Sequence, residues 1–467
     1  MHTSLLALSV LLGAVQAGGG GQNILYSPDD YEFDPLEHLA GIAPYFSPQD
    51  PPLSPAPPQG CNVTRAAYLV RHAAIYANDF DYESYIEPFT EKLANTSADF
   101  SSSQTLSFLS TWHDPIDEDR DMEQVTKIGT LEAMSLGVEL ARRYPTFATP
   151  KKVWTSTAER TVKSARALIS GLDRTSNMSA LTQIAEEKTT GANSLTPYKA
   201  CSAYSSSRGS EQSSAFQKKY TAPIIARFKA EVPGFNWTAS DIYGMQQLCG
   251  YESVIRGTSP FCSLSLFSPD EWLAFEYTND LMYHHNTGYG NPVSGAIGYP
   301  WLNATAAALA SSSTNSSGAA QDLYVSFTHR ELPPTVLVAM GLFNGSAFTG
   351  TNNPNATMPT DTVNHRRAWK SSHILPFLTN IAIEKMSCDS YGYEDSSDAE
   401  YYRALVNSSP QPLPGCVDGP GESCAASSFA QWVQERGQMV GGFTEACGDS
   451  GEESSGGDVL SIYDDAE

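Results

Sequence analysis

The stretch AAYLVRHAAIYAND, residues 66–79, decides the fold prediction. Its apolar run at 67–70 has the length and composition of a buried β-strand. Arg71 and His72 follow at the point where that strand would end, and small residues come next. A charged pair at the end of a strand is either ordinary surface charge or part of a functional site. The other motifs of the chain distinguish these two interpretations.

Two later segments repeat the same order of a short strand, a polar turn and a helical pattern. In VWTSTAERTVKSARALISGL, residues 153–172, the turn is followed by Arg160 and by apolar residues at helical spacing. In DLYVSFTHRELPPTVLVAMGLF, residues 322–343, two prolines suit the first turn of a helix. The polar turn before them consists of His329, Arg330 and Glu331.

Three such units predict an α/β fold, with a large domain whose central sheet is mostly parallel and flanked by helices. In these sheets the ligand crevice lies at the carboxyl ends of the strands, where helix N-termini also favour anions. If the three strands are neighbours, one anion is contacted by Arg71, His72, Arg160 and His329. The sequence alone does not show that they are neighbours.

Composition and charge exclude several classes of function. The chain has 467 residues and a formal net charge of −24, without a block rich in lysine and arginine, so nucleic acid is not an expected partner. Residues 1–17 have the apolar run and small-residue end of a secretory signal peptide. No later apolar run approaches the roughly 18 residues of a membrane span. We therefore expect a secreted, extracellular protein without a membrane partner.

The cysteine and asparagine patterns agree with secretion. Eight cysteines without a Cys-x-x-Cys pair are typical of four disulfides in an oxidising compartment, and they argue against a metal site. Asn-x-Ser/Thr acceptors predict a surface that carries N-linked glycans. These acceptors are Asn62, Asn95, Asn177, Asn236, Asn303, Asn315, Asn344, Asn355 and Asn407.

The residues predicted at the strand ends are the types that phosphate chemistry needs. A phosphomonoester is a compact dianion, and arginine binds phosphate oxygens with two parallel N–H groups. A neutral histidine nitrogen is a nucleophile able to form a phosphohistidine, and a carboxylic acid can protonate the leaving alkoxide. Because arginines can stabilise the transferring group, we expect no metal or other cofactor.

The ordered motifs resemble the branch of histidine phosphatases that contains fungal acid phosphatases and phytases, whose signature is Arg-His-Gly-x-Arg-x-Pro. The first two positions match at Arg71 and His72, whereas the glycine, the second arginine and the proline are replaced by Ala73, Ile75 and Ala77. The second histidine motif, at 329–331, is similar to the His-x-Glu form of inositol-polyphosphate phosphatases. Further family elements match at Thr126, Gly129, Arg160, Thr161, Ser164 and Ala165.

The resemblance implies a role for each matching residue. His72 would be the nucleophile, and Arg71 and Arg160 would bind the phosphoryl oxygens. His329 would be a further phosphate ligand in the transition state, and Glu331 would be the proton donor. The implied activity is that of a histidine acid phosphatase, a phosphoric monoester hydrolase that acts on small phosphomonoesters through a phosphohistidine intermediate.

The resemblance and the composition together imply a domain organisation. An α/β catalytic domain would comprise 61–175 and 320–447, with a smaller, mainly helical domain inserted at 176–319. A proline-rich extension, 18–60, would precede it, and an acidic disordered tail, 448–467, would follow. The disulfides implied by the resemblance join Cys61 to Cys388, Cys201 to Cys447, Cys249 to Cys262 and Cys416 to Cys424.

Ile75 leaves alternatives open, because isoleucine cannot replace a phosphate-binding arginine and losing one such donor costs about 10²–10³ in rate. Arg330, next to His329, supplies the missing charge in one interpretation and points to solvent in the other. One alternative function is therefore a catalytically impaired protein that binds a phosphate ligand. Another is a phytase of the same family, although only 28 residues are lysine or arginine and no cluster of them is evident.

Overall fold

Eight strands form one sheet in the computed structural model, which describes residues 33–48, 51, 53–173, 179–311, 321–345, 357–389, 399–448 and 463. The predicted signal peptide, 1–17, lies outside the described residues. The strands are β1 (Cys61–Arg71), β2 (Lys152–Ser156), β3 (Ala180–Ile184), β4 (Leu323–Thr328), β5 (Asn380–Cys388), β6 (Ala399–Val406), β7 (Ser409–Gln411) and β8 (Cys424–Ala425).

The strand order is β3-β2-β4-β1-β5-β6-β7, with β8 beside β6. The pairings among β3, β2, β4 and β1 are parallel, whereas those from β1 through β5 to β6, β7 and β8 are antiparallel. The predicted α/β fold is therefore confirmed, but the sheet is mixed. It is mostly parallel only in the half that carries the motifs.

The antiparallel half has a local cause at the connection between β6 and β7. Only Asn407 and Ser408 separate these strands, and both have positive φ, 49° and 66°. Two left-handed residues form the tight turn of a β-hairpin, and so short a connection can only join antiparallel strands. Parallel strands need a longer crossover, such as the helical connection from β2 to β3.

The three motif-bearing strands are neighbours, as the convergence of their charged residues requires. β1 pairs in parallel with β4, so that Arg71 lies opposite Thr328, and β4 pairs in parallel with β2, with Phe327 opposite Thr155. The carboxyl ends of β1, β2 and β4 consequently meet at one edge of the sheet. The residues that follow each strand are brought to the same place.

Helices cover both faces of the sheet. Short helix α1 (Asp79–Asp81) continues through a π-helical turn (Tyr82–Ile86) into α2 (Glu87–Ala94). The others are α3 (Glu118–Asp121), α4 (Lys127–Arg143), α5 (Glu159–Leu172), α6 (Ser210–Glu231), α7 (Ala239–Arg256), α8 (Pro269–Asn286), α9 (Ser294–Ala310), α10 (Leu332–Met340), α11 (Ser371–Ile374), α12 (Ala426–Val440) and α13 (Phe443–Cys447). Single 3₁₀ turns lie at Pro35–His38, Ala40–Ile42, Ser107–Ser110, Lys188–Thr190, Pro197–Lys199, Pro260–Cys262 and Pro420–Glu422.

Two apolar layers sandwich the sheet, because successive side chains of a strand point to opposite faces. In β1, Tyr68 and Val70 pack with α4 and α5, whereas Leu69 packs on the other face with α9, α10 and α12. The whole of β4 is buried. Burial on both faces holds the strand ends, and hence the side chains that follow them, in fixed positions.

Part of the predicted proline-rich extension, 18–60, is buried against the rest of the chain. Residues 39–43 are almost inaccessible, and their backbone is bonded to the segment after α10. Ala40 N donates to Ser372 Oγ at 2.8 Å, and Phe377 N donates to Ala43 O at 3.0 Å. The sequence LAGIA is short and apolar, so it is buried despite the prolines that follow it. We call residues 33–43 the N-terminal strap.

The range predicted for the helical insert also includes a strand of the central sheet. β3 lies inside the range predicted for the helical insert, 176–319, yet it pairs with β2 in the central sheet. The described part that follows, 185–311, contains α6 to α9 and no strand. Residues 34–467 cluster as one compact unit, so a separate helical domain stays a prediction.

The predicted disordered tail, 448–467, is described only at Gly448 and Tyr463. Tyr463 is buried, its ring lies 5.0 Å from that of Trp154, and its hydroxyl is 3.3 Å from Ser326 Oγ. The prediction of disorder is therefore wrong at Tyr463. An aromatic ring with a polar tip gains from a buried site with hydroxyl partners, which an acidic composition does not reveal.

Candidate active site

His72 lies directly after β1, buried at the edge of the sheet where the three strands end. Its Nδ1 is 2.9 Å from the carbonyl oxygen of Ala73. A carbonyl only accepts, so Nδ1 carries the proton and the lone pair resides on Nε2. Burial, with the positive charges of Arg71 and Arg160, lowers the pKa of His72 well below its usual value. The ring is therefore a neutral nucleophile even at acidic pH.

The turn after His72 is held by two family elements that lie far along the chain. Ser164, on α5, accepts from Ala73 N at 2.8 Å, and Thr126 N donates to Ala74 O at 2.9 Å. Gly129, in the first turn of α4, lies so close that a Cβ there would be 2.4 Å from Ala74 O. Only glycine permits this approach, so the Thr-x-x-Gly element holds the backbone beside the nucleophile.

Arg71, the last residue of β1, is anchored from outside the motif segments. Its Nη1 donates to the carbonyl oxygens of Gly41 in the N-terminal strap and of Leu375, and its guanidinium carbon lies 4.6 Å from the ring centre of Phe377. Burial lowers the pKa of Arg71 to about 10, so the side chain stays charged at acidic and neutral pH. Its Nε has no acceptor among the described residues and suits an oxyanion.

Arg160 projects from the first turn of α5 and is about a quarter exposed. It forms an ion pair with Glu123, whose other carboxylate oxygen accepts from Asn78 Nδ2 at 2.8 Å. Glu123 adopts a left-handed backbone conformation, with φ of 61°. A phosphate group at Arg160 would therefore share this cation with a carboxylate.

His329 follows β4 and faces His72, with ring centres 5.9 Å apart. Its Nε2 lies 3.0 Å from Glu186 Oε1 and 3.4 Å from Ser156 Oγ. Its Nδ1 is buried and has no partner among the described residues. The two histidines named by the motifs are thus brought together by the parallel pairing of β1 and β4.

Arg330 lines the same cleft as His72 and Ile75. Its Nε is 3.3 Å from Glu331 Oε1, and its Nη1 is 4.0 Å from Asp81 Oδ2. Burial would raise the pKa of the Glu331 carboxyl, but Arg330 and His329 lower it below its usual value. Glu331 therefore gains a proton only as the medium becomes acidic.

Ile75 forms a wall of the same cleft. It is 3% exposed and bridges to Val125. Sequence reasoning missed three residues that line this cleft, Asn78, Tyr251 and Phe377, because none lies in a charged motif.

The four disulfides of the structure have the pairing that the resemblance implied. Three described residues that could form a metal site are Cys416, Asp418 and Cys424, but both cysteines are in a disulfide and cannot offer thiolates. Within the described residues, no helix is long and apolar enough to span a bilayer.

The predicted glycan acceptors differ in accessibility. Asn62, Asn95 and Asn236 are exposed, and Asn303 and Asn344 are partly buried. Asn407 is 1% exposed, and its Nδ2 donates to His373 O at 2.8 Å, so a glycan there has no room and that prediction is corrected. The remaining acceptors lie outside the described residues: Asn177, Asn315 and Asn355.

Comparison with known proteins gives a consistent result. An acid phosphatase of Komagataella pastoris is 28% identical over 432 residues, covering 90% of this chain and 87% of the relative. Phytase A of Aspergillus fumigatus is 26% identical, covering 93% and 98%. The crystal structure of the phytase from D. castellii has the same fold, with a TM-score of 0.80 at 24% identity over 92% of this chain and 90% of that one.

These relatives are named as enzymes, which gives the impaired binding protein no support. The model of the histidine phosphatase superfamily (branch 2) matches residues 62–407, which is more than half of the chain. That span begins in β1 and includes both histidines that meet in the cleft. The chain belongs to the histidine phosphatase superfamily, branch 2.

Proposed function

We propose that the protein is an acid phosphatase that hydrolyses phosphomonoesters through a phosphohistidine at His72. One observation carries the proposal, the convergence on a single cleft of a neutral histidine, a second histidine, three arginines and a carboxyl group. Arginines at this density bind the phosphoryl oxygens and stabilise the charge of the transition state. Nothing in this arrangement requires a metal ion for that task.

The reaction would proceed in two steps. Nε2 of His72 attacks phosphorus, an N–P bond forms as the ester P–O bond breaks, and the leaving alkoxide takes its proton from the Glu331 carboxyl group. A water molecule, giving its proton to the Glu331 carboxylate, then attacks phosphorus. The N–P bond breaks, and the products are inorganic phosphate and neutral His72.

The expected pH dependence of this reaction is acidic. Because the pKa of His72 is lowered, its neutral form persists as the pH falls, while the protonated fraction of Glu331 increases. We expect an aryl phosphate to be hydrolysed fastest on the acidic side of a scan from about pH 3 to pH 7. EDTA should leave the rate unchanged. A rate that rises steadily towards neutral pH, or that EDTA abolishes, would contradict this mechanism.

Arg330 is proposed to supply the charge that Ile75 lacks. We expect Arg330→Ala to lower kcat/KM by about 10²-fold, because one preorganised donor to the phosphoryl group is lost. Arg366→Ala, an exposed arginine, is the matched control and should keep wild-type kinetics. If both variants have the same kcat/KM, Arg330 makes no contact with the substrate.

Phytate hydrolysis is the second candidate, favoured by relatives named as phytases. The cations that line the cleft are Arg71, Arg160 and Arg330, without a lysine, and its remaining walls include Ile75 and Phe377. Such a lining suits one phosphate on a small organic group better than a ring with many phosphates. Values of kcat/KM for phytate and for simple phosphate esters distinguish the two.

The proposal includes secretion and glycosylation. Four disulfides and three exposed Asn-x-Ser/Thr acceptors in the described residues support an extracellular protein. The predicted partners are then small phosphomonoesters and N-linked glycans, with neither nucleic acid nor membrane.

A further inference from the structure

Glu186 is a carboxylate outside every motif that reaches the second histidine of the site. It lies just after β3, its side chain is 13% exposed, and its Oε1 is 3.0 Å from His329 Nε2. The pairing of β3 with β2 brings this residue to the strand ends, 143 positions before His329.

Three further groups hold the Glu186 carboxylate in place. The backbone N–H of Ala158, at the start of α5, donates to Oε1 at 3.1 Å, and Lys199 forms an ion pair with Oε2. Burial would raise the pKa of Glu186, but the contacts with His329, Lys199 and Ser156 lower it well below its usual value. The side chain is consequently an anion at all working pH values.

A carboxylate that accepts from one imidazole nitrogen determines which ring nitrogen is left to contact a ligand. A carboxylate accepts only from a ring nitrogen that carries hydrogen, so Nε2 of His329 is a donor to Glu186 and cannot serve the substrate. Nδ1 is then the nitrogen left for a ligand, and it has no partner among the described residues.

We propose that Glu186 is a positioning residue, which holds Nε2–H of His329 and thereby directs Nδ1 to the phosphoryl group transferred to His72. This inference rests on the proposed phosphatase function. A carboxylate behind a histidine fixes the orientation of its ring, and in the imidazolium form the opposite N–H can donate to a phosphoryl oxygen. The competing interpretation is that Glu186 serves only stability, through Lys199 and the N-terminus of α5.

Kinetics of matched variants separate these interpretations. We expect Glu186→Ala to lower kcat for an aryl phosphate by about 10²-fold and to raise KM by no more than about tenfold. Glu186→Gln should recover about tenfold of that loss, because its amide can still bond to Nε2 and orient the ring. Glu187→Gln, an exposed neighbour, should stay within about twofold of wild type.

The outcomes are distinguishable. If Glu186→Ala keeps wild-type kcat and changes only the melting temperature, the positioning role is wrong. If the wild type hydrolyses no phosphomonoester, the proposed function fails by itself. Calorimetric binding of inorganic phosphate then decides the inference, since Glu186→Ala should weaken it about tenfold relative to wild type. Equal phosphate affinity in the two proteins would overturn it.

Discussion

His72→Ala should abolish the hydrolysis of aryl phosphates, with kcat/KM falling by at least about 10⁴-fold. Alanine offers no lone pair for attack on phosphorus, and the arginines of the cleft can bind the ester without cleaving it. His365→Ala, an exposed histidine, is the control and should keep full activity. The measurement is steady-state hydrolysis at acidic pH in the presence of EDTA.

The same variant tests the covalent step. Wild-type protein mixed with labelled substrate and quenched in alkali, in which phosphohistidine survives, should retain the label on the protein, whereas His72→Ala should retain none. A labelled variant, or one that keeps wild-type kcat/KM, would mean that another group is the nucleophile. Loss of both label and activity in a variant with wild-type melting temperature would support His72 directly.

Arg367→Met should be the most destabilising single change near the site. The guanidinium is 2% exposed and forms ion pairs with the buried carboxylates of Glu276 and Asp280. Methionine keeps an unbranched side chain without the charge, so two buried anions would lose their cation. Removing one partner of a buried pair typically costs about 3–5 kcal/mol.

This network also secures the N-terminal strap. Glu276 accepts from His38 Nδ1 at 2.6 Å, and Asp280 accepts from Ser371 N at 2.6 Å. The strap and the segment after Ser371 supply the two carbonyls that hold Arg71. We therefore expect Arg367→Met to raise KM as well as to lower the denaturation midpoint.

Urea denaturation followed by tryptophan fluorescence measures this effect, with Arg366→Met as the control. Arg366 is the exposed neighbour, and its replacement should change the free energy of unfolding by less than about 0.5 kcal/mol. Equal midpoints for the two variants would show that the buried carboxylates are satisfied without Arg367.

Local sequence patterns determined the motif-bearing half of the fold. An apolar strand followed by a polar turn precedes both His72 and His329. Each of these patterns is encoded in about ten consecutive residues. Strand burial and helix capping depend on such neighbours, so β1, β4 and α10 were predictable. The antiparallel strands were not predicted, because the left-handed pair Asn407-Ser408 identifies a hairpin only after its backbone is known.

The candidate site also combines residues that the sequence predicts with contacts that only the tertiary structure reveals. The sequence by itself predicted that Arg71, His72, Arg160 and His329 meet, because their types and order are typical of phosphate chemistry. Only the tertiary structure decided that Arg330 lines the cleft, that Glu186 lies behind His329, and that Gly41 holds Arg71. The contact of Glu186 with His329 joins residues 143 positions apart, and that of Gly41 with Arg71 joins residues 30 positions apart. Packing between such distant segments leaves no pattern among neighbouring residues, whereas a strand leaves an apolar periodicity.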